Sequence, residues 1–356
     1  MQRALQLAAR GKFGAHPNPM VGCVLVKDDE IVGEGWHQRI GEAHAEPNAL
    51  QSAGRDSRGA TAYVTLEPCS HQGKTPPCCD ALIAAGVREV VIAREDPNPK
   101  VNGSGVLRLR EAGVAIRSGL MRQEADALMS GFLSRVERGR PRVRLKIASS
   151  LDGRIAMSSG ESQWITGAEA RADVQHLRAR AGAILTGVGT VLADDPALTV
   201  REERLNPHNR QPLRVVLDNQ LRTPPTAKML TLPGDTLIYC RDESSAGELR
   251  TAGAEVVCFG GVDRVDLEQV LRDLAQREIN DILVEAGPAV AGQLLEQQLV
   301  DELLIYQAPV LLGSDTKGML TTPSWSKLAD GQALDIVDVR KLGQDTRITA
   351  IPRSRD

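Results

Sequence analysis

His44-Ala-Glu46, Pro68-Cys69 and Cys78 place one imidazole, one carboxylate and two thiols in a single stretch of the chain. Imidazole and thiolate are ligands that zinc prefers, and three protein ligands leave a fourth position open. An open position distinguishes catalytic from structural zinc, because water can bind there and be acidified toward neutrality. Glu46 follows His44 by two residues and would stand beside that water, without ligating the metal, as a proton shuttle. The chemistry this set suits is hydrolytic deamination: water attacks an amidine-type ring carbon, the glutamate takes its proton, and the same glutamate helps expel ammonia. Eight residues separate Cys69 from Cys78, a longer connection than Cys-x-x-Cys and one that could itself reach a substrate. Pro76 and Pro77 precede Cys78, so this thiolate enters its helix in the first turn, where proline is tolerated and the dipole favours negative charge.

Taken singly, each residue has a plainer explanation: His44 as a core histidine, the cysteines as small buried hydrophobes. The order is what is specific, with His-x-Glu at one helix start, Pro-Cys after a strand and Cys at the next helix start. Cys79 points elsewhere on its helix, and Cys23, Cys240 and Cys258 have no partner spacing, so these four are expected to be structural. Six cysteines in 356 residues do not suggest a disulfide framework, and in a reducing compartment clustered cysteines more often bind metal.

The elements that must position these groups read as an alternation of strands and helices. Residues 2–9 suit a short helix, and 21–26 and 31–36 read as a hairpin around the charged turn 27–30. Residues 44–53 read as a helix, 62–66 as a buried strand, 78–85 as a helix ending at Gly86, and 89–93 as a strand. Helices are expected at 106–112 and 124–136, after which Arg138-Gly139-Arg140-Pro141 breaks the periodicity. We place a domain boundary there, between 1–140 and 141–356, because a chain of 356 residues is long for one core. Beyond it strands are expected at 142–148, 183–186, 213–217, 236–240, 281–285 and 302–307, with helices at 168–179 and 289–297. Each half is therefore an α/β domain. The basic cluster 135–146 alternates with Val143, Leu145 and Ile147 and reads as the solvated face of a half-buried strand.

Composition excludes several classes. Apolar residues are 42% and charged residues 25%, as in ordinary globular proteins. With aromatics at 3% and a formal net charge of −3, neither a stacking surface nor a basic field for nucleic acid is expected. The start of the chain lacks the apolar core of a signal peptide, and no segment has the length of a membrane span, so a cytoplasmic protein is expected.

Longer segments resemble a known family. They are His16-Pro-Asn-Pro-Met-Val-Gly-Cys23, His44-Ala-Glu46, Tyr63-Val-Thr-Leu-Glu-Pro-Cys-Ser-His71, Gly73-Lys-Thr-Pro-Pro-Cys78 and Asp96-Pro-Asn-Pro99. In the second half they are Ala148-Ser-Ser-Leu-Asp-Gly153, Gly160-Glu-Ser-Gln-Trp-Ile-Thr166, Asp194-Asp-Pro-Ala-Leu-Thr199 and Val284-Glu-Ala-Gly-Pro288. Together they resemble the bifunctional riboflavin-biosynthesis deaminase/reductase. The resemblance implies an N-terminal cytidine-deaminase-like three-layer α/β/α domain and a C-terminal dihydrofolate-reductase-like α/β domain. It implies zinc and NADPH as cofactors and a phosphorylated pyrimidine substrate, a diaminopyrimidinone that is deaminated at its ring and then reduced in its ribose to a ribityl chain. Asn18, His37, His71, Lys74, Asp96 and Asn98 match deaminase-pocket positions, although Asn18, Asp96 and Asn98 are also natural turn formers. Pro47 and Asn48 depart from the usual pattern, which has an aliphatic residue and often a histidine there. A homo-oligomer is also expected.

For hydride transfer, glycine turns leading into helices offer N–H groups to a dinucleotide's phosphates. Gly187-Val-Gly-Thr190 follows one strand and Gly287-Pro288 another, although Leu192 takes the last glycine position of G-x-G-x-x-G and weakens a Rossmann reading. The resemblance turns both into cofactor contacts: Gly287, Pro288, Ala289, Val290, Ala291, Gly292 and Gln293, together with Ala148, Trp164, Thr190, Asp194 and Asn219. Ser162, Arg178, Leu198, Arg201 and Glu285 match substrate contacts, and the arginines suit a phosphate. Lys146 could polarise or protonate the opening ribosylamine, or simply snorkel at the surface. Two other functions compete. A nucleobase deaminase fused to an unrelated domain would oxidise no cofactor, and a zinc-stabilised binding module would not need Glu46.

Overall fold

A computed structural model describes residues 1–72, 76–99, 101–259, 264–322 and 326–354. The chain forms two compact units, Met1–Arg140 and Pro141–Asp356.

The first unit runs α1 (Gln2–Ala8), β1 (Gly22–Lys27), β2 (Glu30–Trp36), α2 (Ala45–Ala53), β3 (Thr61–Val64), α3 (Cys78–Ala85), β4 (Glu89–Ile92), α4 (Ser104–Glu111), β5 (Ala115–Ser118), α5 (Arg122–Leu128) and α6 (Ser130–Arg138). Among the described residues its sheet has the order β2-β1-β3-β4-β5; β1 is antiparallel to β2 and β3, and β4 is parallel to β3 and β5. Asp28 and Asp29 close the hairpin with φ of 50° and 62°, the left-handed pair that matches the twist of two-residue hairpins. Helices cover both faces. Ala45, Ala49, Leu82, Val106 and Leu109 meet Leu25, Val64 and Ile92 on one side, while Leu5, Ala125, Met129 and Phe132 gather with Leu66 and Ala93 on the other. The α/β/α layering follows from strands apolar on both faces.

The seating of α2 is unusually close. A Cβ on Gly33 would overlap the carbonyl oxygen of Ala49, and one on Gly35 would overlap that of Ala45. Two glycines on β2 and an alanine face on α2 therefore bring backbone against backbone, which fixes where the helix begins. The helix expected at 124–136 is two helices, broken at Met129, whose φ of −104° is not helical.

The second unit runs β6 (Arg142–Ser150), β7 (Arg154–Met157), α7 (Ala168–Arg180), β8 (Ala183–Gly187), α8 (Val188–Asp194), β9 (Leu213–Leu217), α9 (Lys228–Thr231), β10 (Thr236–Cys240), α10 (Gly247–Thr251), β11 (Ala254–Cys258), α11 (Leu267–Gln276), β12 (Asp281–Val284), α12 (Pro288–Glu296), β13 (Glu302–Ala308), β14 (Thr316–Gly318), β15 (Leu334–Leu342) and β16 (Asp345–Pro352). Its large sheet has the order β11-β10-β9-β8-β12-β6-β13-β16-β15. It is parallel from β11 to β13, and β16 and β15 add an antiparallel edge. Helices α11 and α12 pack on one face, and α7 to α10 on the other.

Two expectations are corrected here. The basic cluster is not a solvated face, because β6 lies inside the sheet: Arg144 is 4% exposed and pairs with Asp281 at 3.4 Å, and Arg142 pairs with Glu302 at 3.2 Å. Cys240 and Cys258 do have partners, since they form a disulfide across neighbouring strands. They stand opposite each other in the β10–β11 register, a juxtaposition created by strand order and invisible in linear spacing.

Candidate functional site

In the first unit the metal-ligand candidates converge from three elements. His44 is the N-cap of α2, Cys78 is the first residue of α3, and Cys69 lies on the segment following β3. Their ligand atoms all lie within 4.8 Å of one another. His44 Nδ1 is 3.3 Å from Cys78 Sγ and 3.7 Å from Cys69 Sγ, and the Cys78 N–H donates to Cys69 Sγ at 3.3 Å. The Cys78 thiol and His44 both draw the Cys69 thiol below its ordinary range, while that contact and burial push Cys78 up. Two thiols and an imidazole in mutual contact suit a cation, which binds thiolates and displaces their protons.

Glu46 sits in the first turn of α2, 3% exposed, in contact with the Cys78 thiol. Its Oε2 is buried without a hydrogen-bond partner, and burial raises its pKa. An orphaned buried carboxylate oxygen beside three soft or borderline ligands fits zinc with a water or substrate group to be received. Around this core, the His37 Nδ1 lies 3.2 Å from the Ala43 carbonyl and its Nε2 3.1 Å from Asn18 Nδ2. The His37 ring stands edge-on to His44, 5.2 Å between centroids. Asp96, 8% exposed, accepts from the Asn98 N–H at 2.9 Å, and burial pushes its carboxyl up to about 6. His71 is exposed. Lys74 lies outside the described residues.

Asn48 departs from the family pattern yet is well used. Its amide donates to the Trp36 carbonyl at 2.9 Å, binding the start of α2 to the end of β2, and Pro47 occupies the first turn, where its missing N–H has no acceptor to lose. Composition and periodicity gave no sign of this tie.

In the second unit three candidates meet. Arg178 of α7 forms a two-pronged ion pair with Glu285, at 2.7 and 2.9 Å, their side chains only 14% and 12% exposed. Lys146, on β6, is half-buried, with its Nζ 5.9 Å from the Tyr306 ring centroid; burial lowers its pKa against the pull of Glu285. Burial works against the Glu285 carboxylate, but Arg178, Lys146 and Arg201 together hold its pKa low. Lys146 is therefore part of a charge cluster rather than a surface lysine. The two glycine turns also adjoin, at the C-terminal ends of the neighbouring strands β8 and β12. A Cβ on Gly187 would lie 3.0 Å from Val290, and one on Gly287 would lie 3.9 Å from Thr190 Oγ1. This cradle of small residues at strand ends is where open α/β sheets take ligands.

The remaining candidates are placed unevenly. Asp194 accepts from Gln163 Nε2 at 3.3 Å, bringing the segment with half-buried Ser162 and 68% exposed Trp164 toward α8. Ala148 pairs in register with Tyr306. Asn219 spends its Oδ1 on the Val265 N–H, and Leu198 turns its side chain into the core with φ of 48°. In α12, Pro288, Val290 and Gln293 are partly exposed and Ala289 is exposed, whereas Ala291 and Gly292 are buried. A Cβ on Gly292 would overlap the Thr321 carbonyl, so that glycine serves packing.

Known proteins can be set beside this geometry. Residues 1–94 match the family described as the cytidine and deoxycytidylate deaminase zinc-binding region, and residues 141–348 match the RibD C-terminal domain. The riboflavin biosynthesis protein RibD of Escherichia coli K12 is 52% identical over 354 residues, covering 97% of this chain and 96% of the relative. The chain belongs to the RibD family. Among RibD proteins of known structure, that of Acinetobacter baumannii superposes with a TM-score of 0.91 at 44% identity, covering 99% of this chain and 98% of the other. The diaminohydroxyphosphoribosylaminopyrimidine deaminase/5-amino-6-(5-phosphoribosylamino)uracil reductase of Thermotoga maritima superposes with a TM-score of 0.88 at 35% identity, covering 99% and 97%. As a RibD protein the chain is a bifunctional deaminase and reductase of riboflavin biosynthesis, with zinc and NADPH as cofactors. Its fold is the expected one, a cytidine-deaminase-like domain followed by the RibD reductase domain. No described helix is long and apolar enough to cross a membrane.

Proposed function

We propose that residues 1–140 deaminate 2,5-diamino-6-(5-phosphoribosylamino)pyrimidin-4(3H)-one and that residues 141–356 reduce the ribose of the product, 5-amino-6-(5-phosphoribosylamino)uracil, to the ribityl chain. The carrying observation is the buried Glu46 carboxylate, with its unpartnered Oε2, beside His44, Cys69 and Cys78. Zinc held by those three residues supplies an acidified water, and NADPH supplies the hydride. Glu46 accepts a proton from the attacking water and returns it to the departing amino group, so that water and ring amine become ring carbonyl and ammonia. Its burial helps the first of these transfers, because a carboxylate whose pKa is raised by desolvation is a stronger base toward the water proton than an exposed one. Asn18 and His37, joined to each other, and Asp96 and Asn98 on one loop support a polar pocket around the ring, with His71 and Lys74 assigned to the same substrate.

In the reductase unit Lys146 is assigned to protonate the opening ribosylamine, with Glu285 holding the ammonium and Arg178 holding Glu285. Arg201, whose charge Glu285 feels, is assigned to the phosphate, and Ser162 and Leu198 to the sugar chain. The glycine cradle, through residues 287–293, receives the NADPH phosphates, with Ala148, Trp164, Thr190, Asp194 and Asn219 around the rest of the dinucleotide. A phosphorylated substrate is confined by membranes, which supports a cytoplasmic setting. Ile336, Val337 and Val339, 63%, 56% and 58% exposed on the edge strand β15, support a homo-oligomer.

The test is to incubate the protein with the diaminopyrimidinone phosphate, with and without NADPH, following ammonia release and the loss of reduced-cofactor absorbance. Ammonia in both arms and absorbance loss only with substrate present are expected. Ammonia without any NADPH oxidation would leave a deaminase alone.

A further inference from the structure

Glu67 stands two residues before the zinc-ligand candidate Cys69, is 4% exposed, and is absent from the residues assigned above. A carboxylate that deep must be satisfied by charge or by hydrogen bonds. Glu67 uses main-chain N–H groups from two other segments. Its Oε2 accepts from Asp96 at 3.1 Å and Gly103 at 3.0 Å, and its Oε1 from Gly105 at 2.9 Å and Val106 at 3.1 Å. Gly103 is the N-cap of α4, which has no side-chain cap of its own. The charge of Glu67 thus satisfies the open end of that helix from outside it. Gly105 allows the approach, because a Cβ there would overlap the Pro68 carbonyl oxygen. The Asp96 carboxylate, next in line, accepts from the Asn98 N–H.

We propose that Glu67 is a positioning residue of the deamination site: its four main-chain hydrogen bonds fix the Asp96–Asn98 loop and the start of α4 relative to Cys69, and so set the distance between pocket and metal. The inference deepens the deaminase assignment and rests on it. Charge-assisted hydrogen bonds are short and directional, and small displacements of positioning groups are felt strongly in reactions that depend on placement. The loop has hydrogen bonds of its own, from the Val101 N–H to the Asn98 carbonyl and from the Ser104 N–H to the Val101 carbonyl, each at 2.8 Å, but these do not involve the N–H groups of residues 96 and 103. Glu67 joins them.

The test is Glu67→Gln, which turns one acceptor oxygen into an amide that faces N–H donors. Glu67→Asp, which keeps the charge but shortens its reach, accompanies it. The expected result is retained zinc, retained reduction of supplied deaminated intermediate, and a KM for ammonia release raised about tenfold with kcat changed less. A purely structural role would lower the melting temperature and leave KM alone. Gly105→Ala approaches the same contact from the other side, by pushing α4 off Pro68, and should raise KM too. If neither variant at position 67 folds, Gly105→Ala carries the test alone. Parental KM in folded, zinc-loaded variants overturns the proposal, and so does zinc loss in step with activity, which would place the effect on the ligands. Failure of the underlying assignment looks different: the parent enzyme would release no ammonia, or Asn98→Ala would keep the parental KM.

Discussion

Replacing Glu46 by glutamine separates chemistry from structure in the deaminase unit. The Glu46 side chain is 3% exposed and its Oε2 has no hydrogen-bond partner, so the substitution breaks no bond at that oxygen. It also removes a charge whose burial is unfavourable, which the raised pKa of Glu46 records. The folded state should therefore be no less stable, and a melting temperature equal to or above the parent is expected. Activity should move the other way. Glutamine can hold a water but cannot take and return its proton, and general acid–base groups contribute roughly 10²- to 10⁴-fold. At about 1.4 kcal/mol per decade that is roughly 3 to 5 kcal/mol of transition-state stabilisation. The assay is ammonia release at saturating substrate, alongside zinc content by metal analysis, a thermal melt, and NADPH-dependent reduction of supplied deaminated intermediate. Full zinc, an unchanged or higher melt, intact reduction and deamination lowered at least a hundredfold are expected. Deamination within about threefold of the parent would refute the proton-shuttle role, and loss of reduction in a folded, zinc-loaded variant would refute the independence of the two sites.

Three further outcomes follow from the geometry. A Cys69→Ala, Cys78→Ala double variant should bind no stoichiometric zinc, because His44 alone of the three ligands would remain; metal analysis after dialysis decides it. Arg201→Ala should weaken reduction, through KM more than kcat, by roughly tenfold for the loss of one charge-assisted contact, and leave ammonia release unchanged; equal loss in both activities would contradict it. The Cys240–Cys258 disulfide closes a separation of 18 residues, so Cys240→Ser should destabilise the reductase unit by about 3 kcal/mol in the chain-entropy account. The check is denaturant unfolding of that variant against the parent under non-reducing conditions, with no difference as the contrary result.

The metal ligands and the acid beside them were legible in the sequence because helix starts and strand ends are local features: His44, Glu46 and Cys78 each sit within one turn of a helix N-terminus and Cys69 follows the end of β3. The alternation of strands and helices was legible for the same reason. Helix α11 was equally readable and was not anticipated, although Leu267, Val270, Leu271 and Leu274 hold a regular apolar stripe and Asp266 caps it, accepting from the Glu268 N–H at 2.9 Å. The β15–β16 hairpin was harder, since β15 is largely exposed and shows little of the alternation that marks a half-buried strand.

What tertiary structure alone decided are relations between residues far apart in the chain. Arg144 looks like a surface charge until β6 is seen flanked by β12 and β13. Cys240 and Cys258 look unpaired until β10 and β11 lie side by side. Glu67 looks like part of a motif until residues 29 to 39 positions away in the sequence bring four N–H groups to it. Sequence records periodicity and local capping, which act within a turn or two of chain; strand order and the meeting of distant loops depend on the sum of many weak packing terms, and no single residue announces them.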